Sequence, residues 1–124
     1  MIRLASALTA AAILAASAVP ALTAPAARVN FDGAWSVLIV TEKGTCDRAY
    51  RYPIKISNGT VDYAGDHAFT VTGKVLPSGA VTVTVARGSQ SASGSGRLSL
   101  TDGGGFWQTA GGECSGTWSA EKRS

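Results

Sequence analysis

The residues of this chain that could do chemistry are few: two cysteines, Cys46 and Cys114, a single histidine, His67, next to Asp66, and a set of tryptophans and tyrosines. A hydrolase built on His67, with Asp66 orienting its imidazole, is one reading. Adjacent residues on an extended segment point to opposite faces, however, and no recognisable motif supplies a nucleophile or a second base. The two thiols and one imidazole do not make a zinc site if the thiols are oxidised. Gly103-Gly104-Gly105 and Ser93-Gly94-Ser95-Gly96 lack the strand-then-helix context of a phosphate-binding loop. The expectation is therefore a protein with no catalytic residue, no metal and no cofactor, in which Cys46 and Cys114 form a disulfide.

That pairing depends on an oxidising compartment, and the start of the chain points to one. Residues 1–27 place Arg3 before a long Ala/Leu/Ile/Val run and close on Ala24-Pro25-Ala26, the three regions of a signal peptide. The expected organisation is a signal peptide over 1–27 and one domain over 28–124, periplasmic or secreted, with no stable membrane insertion after cleavage. Removing Arg3 with the leader lowers the net charge from the +3 of the whole chain to about +2. So small and scattered a charge argues against nucleic acid, which calls for a clustered basic face. Arg48, Arg51 and Lys55 form the one basic group, read as a solvated face with Arg51 and Lys55 outward.

The elements that must position these residues are strands. From residue 33 onward short alternating segments recur about every 8 to 12 positions, separated by turn residues, and no helical period is found. The expected strands are 34–41, 48–57, 60–63, 68–75, 80–86, 91–100, 105–109 and 114–121. Asn58-Gly59 between Ile56 and Val61 is a type I′ hairpin signal. Leu76-Pro77-Ser78-Gly79 and Asp102-Gly103-Gly104 are read as further turns. The sixth strand should turn Ala92, Gly94, Gly96, Leu98 and Leu100 to one face.

Eight sequential strands with short turns predict an all-β fold, a small antiparallel up-and-down meander closed into an eight-stranded barrel. In such a barrel the first and last strands are neighbours. A Cys46–Cys114 bridge would then clasp the closing seam, with both cysteines on the inward faces of their strands. The inward aromatic set is Trp35, Tyr50, Tyr52, Tyr63, Phe69, Trp107 and Trp118. These rings either fill the interior or, with Gly73, Gly94, Gly96 and Gly116 giving room, line a pocket for one small ligand.

Gly33-Ala34-Trp35 opens the first strand and Gly116-Thr117-Trp118 lies in the last. Here the sequence resembles the calycin superfamily of lipocalins and avidins, whose barrels begin with Gly-x-Trp. The resemblance implies an arginine packed on that tryptophan, a role that falls to Arg123. The chain also resembles small secreted barrel inhibitors of bacterial metalloproteases, with an early Trp and a disulfide, although their cysteines lie closer together in sequence. The functional expectation is a non-enzymatic barrel binding a small apolar or aromatic ligand through Trp35, Tyr50, Tyr52, Trp107 and Trp118. The alternative is a protein-interaction module or inhibitor of an exported enzyme, working through its rim loops or the Arg51 and Lys55 face.

Overall fold

A computed structural model describes residues 30–66 and 68–124. The leader expected over 1–27 and His67 lie outside them. The alternating segments form eight strands: β1 (Gly33–Lys43), β2 (Ala49–Ser57), β3 (Thr60–Tyr63), β4 (Thr70–Val75), β5 (Ala80–Arg87), β6 (Gln90–Leu98), β7 (Asp102–Thr109) and β8 (Ser115–Lys122). Each pairs antiparallel with its sequence neighbours, and β1 also pairs with β8 from Trp35↔Lys122 to Lys43↔Ser115. The result is the expected closed eight-stranded, up-and-down barrel, a topology that leaves no sheet edge to find a partner.

Turn chemistry sets the register. Asn58 (φ 50°) and Gly59 (φ 77°) both take positive φ, as a type I′ turn requires, and β2 and β3 pair outward from Ser57↔Thr60. The Asp102-Gly103-Gly104 turn is not found. These residues open β7, where Gly103 and Gly104 face Leu98 and Arg97, and the chain reverses earlier, over residues 99–101. Ser99 explains the difference: its Oγ accepts from the amide of Asp102 at 3.2 Å and donates to the Asp102 carboxylate at 2.5 Å, while its amide donates to the Asp102 carbonyl at 2.7 Å. A serine hydroxyl has closed the turn that the glycines advertised. Leu100, expected on the inner face of the sixth strand, therefore lies beyond it, 56% exposed.

The two ends of the barrel differ. Around the first residue of β1 the interior is packed: Phe31, Trp35, Ile56, Val61, Val75, Val81, Leu98 and Ala120 are all buried. Phe31, just before β1, closes this end, and its carbonyl accepts from the Trp35 indole N–H at 2.8 Å. A fully buried Trp whose one polar atom is satisfied contributes its whole apolar area to stability.

The opposite end carries the disulfide. Cys46 follows β1 and Cys114 precedes β8, so the bridge joins the two strands of the closing seam with Cα atoms 6.1 Å apart. Cys114 is buried, on the inward parity of Gly116, Trp118 and Ala120, but Cys46 is exposed in a bend. The expectation that both sit on the inward faces of strands holds for Cys114, whereas Cys46 lies off the strand and borders the interior space from an exposed bend. It lies three residues beyond the end of β1, where strand alternation no longer sets which way a side chain points.

Candidate ligand-binding cavity

The interior is not filled. Above the packed end a cavity of about 330 Å³ extends to the disulfide rim, bordered by every strand except the short β3's second half. Indole placement explains the free space. Trp118, inward on β8, lies along the wall instead of across the lumen and donates its indole N–H to the Ser95 carbonyl on β6 at 3.1 Å. To reach it the ring crosses β7 at Gly105 and meets β6 at Gly96. A Cβ on Gly105 would fall 2.8 Å from Trp118 Nε1, and one on Gly96 2.6 Å from its Cζ2. Trp107 behaves alike: it is paired with Gly116 and donates to the Val40 carbonyl at 3.0 Å, one strand beyond. Gly96 and Gly105 are thus recesses for the Trp118 ring, with Gly94 beside them, whereas Gly73 faces Val83 and Gly116 the backbone of β1.

Tyrosines and a phenylalanine build the mouth. Only Ile54 to Ser57 of β2 pair with β3, so the first half of β2 has no strand beside it there. Four rings cover the gap. Tyr50 and Tyr52 have centroids 4.5 Å apart, Tyr52 and Phe69 meet edge-on at 5.2 Å, and Tyr63 meets Phe69 edge-on at 5.5 Å. Edge-to-face pairs of this kind add to the area that the rings bury. Burial, then the neighbouring phenols of Tyr50 and Tyr63, push the Tyr52 hydroxyl above its usual pKa near 10.0. At neutral pH it is a protonated donor.

Two charged side chains border the cavity, Arg87 and Asp47. Arg87 ends β5 on the parity of Val81, Val83 and Val85, and its Cζ lies 5.4 Å from the Phe69 ring centroid. Thr109 sits at the same rim and holds the disulfide side in place: its hydroxyl accepts from the Cys114 amide at 3.0 Å and donates to Glu113 at 2.8 Å. That hydrogen bond holds the Glu113 carboxyl below the usual carboxylate range.

Trp35, Tyr50, Tyr52, Trp107 and Trp118, the residues singled out from the sequence, all border this one cavity. Trp35 forms its floor and the tyrosines its mouth. Sequence reasoning missed Arg87 because it ended the fifth strand one residue early, although the alternation of Val81, Val83 and Val85 carries on to it. Arg51 points away, donating to Ser36 Oγ at 2.9 Å on the outer face. Arg123 does not lie on Trp35. Its backbone pairs with Ala34, while its guanidinium reaches Glu121 at 3.3 Å and is 57% exposed. Among the described residues no three of His, Cys, Asp and Glu come together as a metal site.

The outer wall has a shallow depression over β3 to β7, lined by outward Thr72, Thr84, Ser93 and Ser95 and by Phe106, which is 70% exposed. It is wider than the interior space, but it opens to solvent along its length. The interior cavity, by contrast, is enclosed on the sides and floor and offers aromatic walls with a polar rim, the arrangement of a small-molecule site. A comparison with models of known protein families finds no match, and a comparison with curated protein sequences finds none either.

Proposed function

We propose that this chain is an exported, non-enzymatic barrel that holds one small apolar or aromatic molecule in its interior. The observation that carries the reading is the cavity of about 330 Å³, floored by Trp35 and walled by Trp107 and Trp118. Binding cavities span about 300–1,000 Å³, so this one suits a ligand at the small end of that range. By the roughly 30 Å³ that one water occupies in the liquid, its capacity is on the order of ten non-hydrogen atoms. A closed up-and-down barrel opening on Gly33-Ala34-Trp35 supports a calycin-like reading. The disulfide supports an oxidising, exported compartment.

The test uses the tryptophans as reporters. Titration with a panel of small single-ring and two-ring aromatics should quench or shift the intrinsic fluorescence with saturation. Ala92→Phe, which places a ring at a cavity-lining position of β6, should remove that response while the far-ultraviolet circular dichroism stays unchanged. A flat titration across the panel, or an undiminished response in the folded variant, would sink the reading.

A further inference from the structure

Resting on the interior as the binding site, we propose that its ligand is an aromatic molecule carrying an anionic group, a carboxylate above all, which Arg87 receives at the mouth. The inward face of β5 carries the first observation: Val81, Val83 and Val85 rise from the packed floor to the rim, and Arg87 follows them. A ligand lying along that row meets hydrocarbon below and a cation above. Its polar end must face the rim, because an ion buried against valines without a partner would be too costly.

The second observation is that Arg87 is held but not neutralised. Its Cζ lies 5.4 Å from the Phe69 centroid, which fixes the planar group against a ring of the aromatic cluster. Among the described residues no carboxylate lies within ion-pair distance of Arg87, unlike Arg123, which reaches Glu121. A guanidinium presents parallel N–H donors that match the two oxygens of a carboxylate. Neutral hydroxyls stand with it on the same rim, Tyr50, Tyr52 and Thr109, all bordering the cavity. Tyr52 keeps its proton there and can donate to the same anion. Asp47 is the one acid bordering the cavity, between β1 and β2, and it acts on the Tyr52 hydroxyl in the opposite sense to Arg87. Its carboxylate opposes an anion and would favour an ammonium, so the two charges make opposite predictions.

Three matched probes decide between them by calorimetry on the oxidised protein at neutral pH: 3-phenylpropionate, 3-phenylpropanol and 3-phenylpropylamine. The acid is expected to bind about tenfold more tightly than the alcohol, and the amine most weakly. Arg87→Gln should bring the acid down to the level of the alcohol while changing the alcohol by less than about twofold, and Arg87→Lys should restore part of the preference. Each variant's thermal melt confirms that it is folded. Equal binding of acid and alcohol, or an acid preference that survives Arg87→Gln, overturns the anion assignment and leaves the cavity reading standing. Preference for the amine overturns it in favour of Asp47. Binding of none of the three overturns the cavity reading together with the anion.

Discussion

Gly96 and Gly105 show how much a missing side chain can decide. Their value lies in the Trp118 ring that rests on them, and through it in the open lumen. Gly96→Ala drives a methyl group onto the Gly104 carbonyl oxygen and to within 2.6 Å of Trp118 Cζ2 and 2.8 Å of the Gly105 Cα, where neither backbone nor a hydrogen-bonded indole can yield cheaply. Overpacking of this kind costs about 1–3 kcal/mol, and the variant should lose that much in urea unfolding with an unchanged slope. A stability equal to the parent would overturn the close approach of β7 and the Trp118 indole to Gly96. Tyr52 makes a second prediction. Burial favours its neutral form, so its folded pKa is above the unfolded value near 10.0. The stabilisation it confers is complete below that value and is lost as pH rises through the folded pKa. Melting temperature followed from pH 8 upward should therefore fall less steeply above about pH 10 in Tyr52→Phe than in the parent.

Between elements, the clasp across β1 and β8 has the largest expected effect. The bridge closes a loop of 68 residues in sequence, for which chain entropy alone gives about 4 kcal/mol. For a domain of this size each kcal/mol moves the melting temperature by about 4–8 °C, so Cys114→Ser or reduction should lower it by about 15–30 °C. A melting curve indifferent to reductant would show that backbone pairing of β1 with β8 holds the seam without help. Strand pairing was legible in the sequence wherever turn chemistry was unambiguous, as at Asn58-Gly59. It was misread at Asp102-Gly103-Gly104, because a serine three residues upstream competes for the same reversal through its hydroxyl. Cys46 was misread for a different reason: it was assigned a strand face although it lies in the bend beyond β1, where alternation no longer applies.

For the molecule as a whole, the question was whether seven inward rings fill an eight-stranded barrel. Such a barrel has room for side chains or for one small ligand, and ring count alone favoured filling. The rings instead divide the space. Trp35 packs the floor with Phe31, the indole of Trp118 rests on Gly96 and Gly105, that of Trp107 is tied to the Val40 carbonyl, and the tyrosines gather over the gap beside β2. Because the open part is walled by apolar and aromatic groups with satisfied polar atoms, Ala92→Phe should be accommodated without unfolding. That tolerance is what lets the variant report on binding and not on fold.

The sequence by itself determined the strand count, the meander order and the pairing partners of the two cysteines, because period-two alternation and positive-φ turn residues are local signals. It also named the cavity-lining aromatics, since inward parity is a local property of each strand. Only the tertiary structure decided that the interior is hollow and that Arg87 stands at its mouth. The second depends on how far β5 runs before its turn, and the first on which ring lies over which glycine one and two strands away, as Trp118 does over Gly105 and Gly96. That relation is set by register around a closed barrel, and no single segment of the chain contains it.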